Sequence, residues 1–245
     1  MKKRRRRLRG VVLAVLLAEA LLCAVLLRYV FVVRDVRVEG NVSVSDEDVM
    51  RIARIDFGSS ILRVRAEDVV RRINATGTLC VEELRVRYPD AVEIRVRERE
   101  RSAMLLHMGE IRILDETGCV VESVDGVPDT DLIYVSGMRV SDFVMGEPMR
   151  AADGQMDAYR AVMGALEAQG AGVYVSELDL SDPEELKLIT RTGVTVELGD
   201  PENMENKVAW MKGAVADLEG RGEGGGTLDV RSGSKADYRR TGAQS

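Results

Sequence analysis

The sequence predicts an α+β protein carried on a single N-terminal transmembrane helix, and three observations say so. An apolar run, GVVLAVLLAEALLCAVLLRYVFVV at residues 10–33, follows a strongly basic tail. Beyond it, stretches that alternate apolar and polar residues are frequent, and such period-two alternation is what a half-buried strand requires. Helical stretches are fewer but sharply patterned: Met204, Val208, Met211, Val215 and Leu218 recur at steps of four, three, four and three.

The apolar run comes first. As a helix its 24 residues would extend roughly 36 Å, enough for a hydrocarbon core of about 30 Å. Arg28 lies near its end, where it can snorkel, with Tyr29 beside it as an interfacial anchor. Residues 1–9, MKKRRRRLR, carry seven basic groups and no acid. That places the amino terminus in the cytoplasm and everything after residue 33 outside, in the cell membrane's outer compartment. A cleaved signal peptide is the competing reading, with Ala18-Glu19-Ala20 as a cleavage-like triplet, but the apolar run continues well past it, as in an uncleaved anchor. Glu19 falls near mid-membrane, which makes it a candidate for contact with another transmembrane helix; a tolerated, protonated glutamate is the alternative.

Residues 34–101 read as strand, helix, helix, strand, strand. RDVRVEGN offers a short strand with Val36 and Val38 on one side, closed by Gly40-Asn41. Ser43 or Ser45 can cap a helix over roughly 46–54, and Ser45 has Asp48 at a capping-box-like spacing. A second helix runs from about Ala66 to Asn74, with Val69, Val70 and Ile73 at helical spacing. VEELRVRYPDAVEIRVRE then gives two alternating strands turning around Pro89-Asp90. Leu84, Val86 and Tyr88 share a side of the first, and Val92, Ile94 and Val96 a side of the second.

That hairpin carries Arg87, Arg95 and Arg97, which raises the question of a nucleic-acid surface. Glutamates interleave with them, which breaks up a phosphate-binding stripe. The whole chain has a net charge of −6, and outside the basic tail the sum falls to roughly −13. An acidic bulk repels a polyphosphate backbone, so nucleic acid is excluded as a partner.

Residues 102–232 are strand-rich. AMLLHMGEIRILDETGCVVES predicts two or three short strands turning at Gly109 and Thr117-Gly118, and IYVSG a further one. Ala151 to Gln169 is helical by spacing, with Met156, Tyr159, Val162, Met163 and Leu166 as its buried stripe. VYVSELDLS and a hairpin, ELKLITRTGVTVELGD turning at Thr192-Gly193, follow. The regular helix comes next, with Trp210 expected to cap the core. A glycine-rich loop leads to a last strand, TLDVRS, and the polar end GSKADYRRTGAQS is expected to fray. The loop is no phosphate cradle, because it follows a helix and opens a strand rather than the reverse.

Catalytic and metal chemistry find little support. His107, the single histidine, has no G-x-S-x-G or other nucleophile motif to serve. Cys23, Cys80 and Cys119 lack metal-like spacing and read as free thiols rather than a disulfide.

Taken in order, these features resemble one family. A basic tail and one membrane helix lead into FVVRDVRVEGN, a helix pair and a hairpin ending I-x-V-x-E-R. A D-x-x-G strand pair at Asp115 to Gly118, the TRTGVTVELGD hairpin, the regular helix and a final T-L-D-V-R complete the series. The chain resembles the FtsQ/DivIB bacterial cell-division proteins over nearly its whole length. The resemblance implies a POTRA domain over 34–101, a mixed α/β "β-domain" over 102–232 and a polar tail over 233–245. It implies a non-catalytic divisome scaffold without cofactor or small-molecule substrate, enriched at the division site. Its partners would be FtsB/DivIC-like and FtsL-like single-pass coiled-coil proteins. The family's partner contact, strand addition to the open edge of the last strand, carries over to Leu228, Asp229, Val230 and Arg231. Ser232 stands where many members have an aromatic, and the next aromatic is Tyr238. The chain also reads Glu98-Arg99-Glu100-Arg101 where the family's E-R-x-P is expected. Two other classes remain as alternatives: a membrane-anchored envelope enzyme, and a POTRA-bearing envelope assembly or transport component.

Overall fold

In a computed structural model of the chain, residues 2–126, 128 and 131–240 are described, with side chains from residue 11 onward. Two compact units emerge, one formed by Met1–Asn74 with Leu79–Glu98, the other by Ala75–Thr78 with Arg99–Ser245.

The first unit begins with α1 (Lys2–Tyr29). Its stretch Val11–Tyr29 has a mean hydropathy of 2.5 and none of it is buried against protein, as expected of a helix whose solvent is lipid. There follow β1 (Asp35–Glu39), α2 (Asp46–Ala53), α3 (Ala66–Asn74), β2 (Leu79–Arg87) and β3 (Ala91–Glu98). The sheet order is β1-β3-β2, with β1 parallel to β3 and β2 antiparallel to it. A parallel pair needs a crossover, and the two helices supply it. Val92, Ile94 and Val96 pack with Val49, Ala53, Val69 and Ile73 into one closed core. The Ser45 cap forms as the spacing predicts: its Oγ accepts from the Asp48 N–H at 3.2 Å.

The hairpin's arginines are spoken for. Arg87 meets Glu93 at 2.9 Å, Arg95 meets Glu39 at 3.2 Å and Glu83 at 3.6 Å, and Arg97 meets Glu82 at 3.9 Å. Opposed charges across neighbouring strands account for the interleaving seen in the sequence. Tyr88 departs from expectation. It is 60% exposed, because it lies in the turn beyond the last paired position rather than on the covered face.

The second unit contains β4 (Ala103–His107), β5 (Glu110–Leu114), β6 (Val120–Val124), β7 (Ile133–Ser136), β8 (Val140–Asp142), β9 (Arg150–Ala151) and α4 (Gln155–Gln169). It continues through β10 (Val175–Asp179), β11 (Leu186–Thr190), β12 (Thr195–Gly199), α5 (Met204–Gly220), β13 (Thr227–Asp229) and β14 (Asp237–Arg239). Among the described residues nine strands form one mixed sheet, ordered β14-β13-β12-β11-β10-β7-β4-β5-β6. The parallel steps β7 to β10 and β12 to β13 are bridged by α4 and α5 respectively, again as crossover geometry requires. The core lies between the sheet and these helices, with Tyr159, Val162, Leu166, Leu188, Val196, Val208 and Met211 in one cluster.

The structure changes three expectations here. The helix expected from Ala151 starts at Gln155, because Arg150 and Ala151 pair with β8 and Gly154 turns the chain with φ of 79°. Trp210 is 47% exposed. At 100° per residue it stands off the core-facing stripe set by Met204, Val208, Met211, Val215 and Leu218. The polar end does not simply fray, since residues 237–239 form β14.

Candidate partner-binding edge

The sheet ends at β12, β13 and β14. β13 runs parallel to β12, with Val196 opposite Leu228 and Glu197 opposite Asp229. β14 folds back antiparallel onto β13, with Leu228 opposite Tyr238 and Asp229 opposite Asp237. Side chains alternate between faces along a strand, and Leu228 goes to the core, where it is fully buried. Val230, just past the strand and held by its N–H to the Glu197 carbonyl at 3.1 Å, is fully buried too.

The opposite face carries charge. Glu197 and Asp229 are neighbours across β12 and β13, and two like charges there would destabilise the pair. Two arginines relieve that. Arg231 holds Asp229 through Nη2 at 2.6 Å and Nε at 3.1 Å, a forked arrangement matched to carboxylate geometry. It also lies 3.6 Å from Glu197. Arg239, from β14, reaches Glu197 at 3.6 Å and Asp229 at 3.9 Å. The Arg231 side chain holds the Asp229 carboxyl well below its ordinary range, at about 2. In return, the Asp229 carboxylate raises the Arg231 guanidinium above its usual value.

Tyr238 is half-buried and donates its hydroxyl to the Gly225 carbonyl at 3.0 Å. It also explains one glycine of the loop. A Cβ on Gly226 would sit 2.7 Å from Tyr238 Cε2 and equally close to the Arg239 carbonyl oxygen, with φ at 89°. Only glycine fits that approach.

These placements correct the expectation of an open β13 edge. Over Thr227–Asp229 both edges of β13 are paired, one to β12 and one to β14. The outermost strand at this end is β14, and its far edge pairs with no other strand among the described residues. Ser232 belongs to the turn between the two strands, where its Oγ accepts from the Ser234 N–H at 3.3 Å. Of the candidate residues, Asp229 and Arg231 meet on the charged face, and Tyr238, opposite Leu228, packs against the core side. Leu228 and Val230 support the edge from beneath. Glu19 is exposed on α1, far along the chain. Sequence reasoning missed Glu197, Arg239 and β14 itself, because three residues, Asp237–Arg239, are too few to show a period.

The other sequence candidates lie elsewhere in the fold. His107 stands edge-on to Phe143 with ring centroids 6.0 Å apart, and all three cysteines are free. Asp115 of the D-x-x-G turn is fully buried. It accepts from the backbone of Thr117 and Cys119, each at 2.9 Å, and pairs with Arg99 at 2.5 Å. Among the described residues no cluster of three or more His, Cys, Asp or Glu is placed to hold a metal.

Comparison with known proteins adds the following. Residues 31–99 match the family described as POTRA domain, FtsQ-type, and residues 103–231 the one described as cell division protein FtsQ/DivIB, C-terminal. The chain is 22% identical over 209 residues to cell division protein DivIB of Clostridium botulinum strain Hall, covering 84% of this chain and 81% of the relative. It is 27% identical over 172 residues to cell division protein FtsQ of Syntrophotalea carbinolica, covering 69% and 60%. A solved structure, the major extracytoplasmic domain of DivIB from Geobacillus stearothermophilus, aligns with a TM-score of 0.32 and 18% identity, over 49% of this chain and 95% of that one. With both domain matches falling in order behind an apolar N-terminal helix, the chain belongs to the FtsQ/DivIB family of cell division proteins.

Proposed function

We propose that the chain is a non-catalytic, single-pass scaffold of the division machinery, linking early and late division proteins at the septum. Its basic tail (1–9) lies in the cytoplasm, and the anchor, expected over 10–33 and helical as far as Tyr29, crosses the cell membrane, with Val33 already in the core of the first unit. A POTRA domain, expected over 34–101, and a β-domain, expected over 102–232 but with its sheet running on to Arg239, work outside. Glu19 gives the anchor a polar contact for a second transmembrane helix.

The partners are FtsB/DivIC-like and FtsL-like single-pass coiled-coil proteins, engaged by strand addition. The observation that carries this is the end of the nine-stranded sheet: a three-residue strand, Asp237–Arg239, with no strand paired on its far side among the described residues. An unpaired edge presents N–H and C=O groups to which another chain can add. Asp229, Arg231 and Arg239 supply charges that set register and orientation for the incoming strand. Leu228 and Val230 hold the platform flat from the core side.

Co-purification from membranes tests this. Tyr238→Pro removes a strand N–H and forces β14 off its ladder. The variant is expected to lose its coiled-coil partners while keeping the native far-UV spectrum. Undiminished co-purification would contradict the edge. Fluorescence of a tagged copy should form a midcell band in dividing cells; uniform membrane staining would favour a general envelope role instead.

A further inference from the structure

The end of α1 is fastened to the first unit in a way that builds a cationic cleft beside the anchor. Val32 bridges to Ser60, the Val33 N–H donates to the Ser59 carbonyl at 2.8 Å, and the Gly58 N–H donates to the Val33 carbonyl at 2.8 Å. The Ile61 N–H reaches the Phe31 carbonyl at 3.2 Å. These contacts involve residues two to four positions after Tyr29. At no more than about 3.6 Å per residue, the loop over 57–64 is therefore held within roughly 14 Å of the helix end. That distance overlaps the headgroup layer of a bilayer whose hydrocarbon the helix fills.

What this loop presents suits such a layer. Ile61 is fully buried and pins a short 3₁₀ turn, Ile61–Arg63, leaving Leu62 and Arg63 facing outward. Leu62 is 47% and Phe57 61% exposed, apolar groups that gain by entering an interface. A cleft of about 830 Å³ lies between the loop and the helix, lined among others by Leu27, Arg28, Arg54, Asp56, Leu62 and Arg63. Among the described residues, none of the three arginines is joined to a carboxylate. The arginines of the hairpin are paired with glutamates, whereas these three border one cleft without a carboxylate partner. Arg54 also occupies the left-handed cap of α2 with φ of 56°, a position where glycine or asparagine fits with less strain.

We propose that this cleft binds the phosphate of an anionic phospholipid from the leaflet at the outer end of the anchor. The guanidinium groups of Arg28, Arg54 and Arg63 fork onto the phosphate oxygens, and Leu27 and Leu62 line the path of the glycerol and upper acyl carbons. Asp56, on the rim, lowers the net charge to +2 and weakens the site. The effect is to fix the tilt of the first unit on the membrane through a lipid, not through protein alone. This inference rests on the membrane-anchored reading above.

The full chain in nanodiscs of mixed phosphatidylglycerol and phosphatidylcholine tests it, with a headgroup photo-crosslinking analogue of each lipid and peptide mapping of the adducts. Mapping separates this cleft from the basic tail, which also attracts anionic lipid. The phosphatidylglycerol probe is expected to label residues 54–64, and the phosphatidylcholine probe to label them far less. Each of Arg54→Gln and Arg63→Gln is expected to lower the labelling about fivefold, and Asp56→Asn to raise it. Equal labelling by both probes, or labelling unchanged in the double arginine variant, would overturn the proposal. So would its loss to millimolar inorganic phosphate, which would mark a free-phosphate site. Failure of the chain to co-elute with nanodiscs at all would sink the anchor reading itself, whereas co-elution without cleft labelling defeats only this inference.

Discussion

Glu98 shows how a single side chain closes the first unit. Its Oε1 accepts from the backbone N–H groups of Val42 and Ser43 at 2.7 Å and of Val44 at 3.0 Å. Its Oε2 takes the Ser43 hydroxyl at 2.7 Å. The loop ahead of α2 is thereby tied to the end of β3. The Ser43 hydroxyl and the Val44 and Val42 N–H groups favour the ionised form and hold the carboxyl down at about 2. A depressed folded-state value stabilises the fold above the unfolded pKa of about 4.3, and that contribution drains away as pH falls toward 2. The group is open to solvent, so screening trims its worth to about 1 kcal/mol. Glu98→Gln is therefore expected to lose about that much at pH 7 in urea unfolding, with the gap to the native chain closing between roughly pH 4 and 2. A gap that stayed open at pH 2 would contradict the assignment. The sequence flags Glu98 only as part of a motif, since its three partner residues sit 54 to 56 positions earlier in the chain.

Among the elements, β13 and β14 separate what supports the edge from what is displayed there. Val230 is fully buried and Arg231 exposed, so substitutions at the two should behave differently. Val230→Asp places an uncompensated carboxylate in the core and is expected to cost several kcal/mol, with loss of the cooperative thermal transition. Arg231→Glu replaces an exposed partner of Asp229 by a like charge. It should lower the melting temperature by a few degrees at most while abolishing partner capture. If Val230→Asp left thermal unfolding intact, the core position of this residue would be wrong. The helices were easier to read than the strands. The α5 stripe was legible because five apolar residues repeat over four turns. Trp210 misled because its size invites burial, while its angular position on the helix denies it.

At the scale of the whole molecule, charge and hydropathy divide the chain into compartments. Seven basic residues precede the apolar helix, and the outer part is acidic. The asymmetry is the basis of the proposal that the amino terminus lies inside. A reporter active only after export, fused behind residue 245, should therefore give signal, and one active only in the cytosol should stay silent. The opposite pattern would reverse the proposed topology. The domain matches over 31–99 and 103–231 fit an outer part built of two separately cored units.

The sequence by itself determined the long apolar N-terminal helix, the strand-helix-helix-strand-strand order of the first unit and the two main helices of the second. Each is a local pattern: hydropathy, period two or period 3.6, and a cap within four residues. It also determined that the arginines of the hairpin serve the sheet, because glutamates alternate with them. Only the tertiary structure decided which strand ends the large sheet, since strand order depends on crossovers and pairings between distant residues. It decided that Asp237–Arg239 covers β13, that Leu228 and Val230 face inward, and that Glu197 and Arg239 join the charged edge. It also brought the loop over 57–64 against residues 31–33, which no short-range pattern announces. A period reports which face a side chain takes. Which neighbour that face meets is fixed only when the chain folds back on itself.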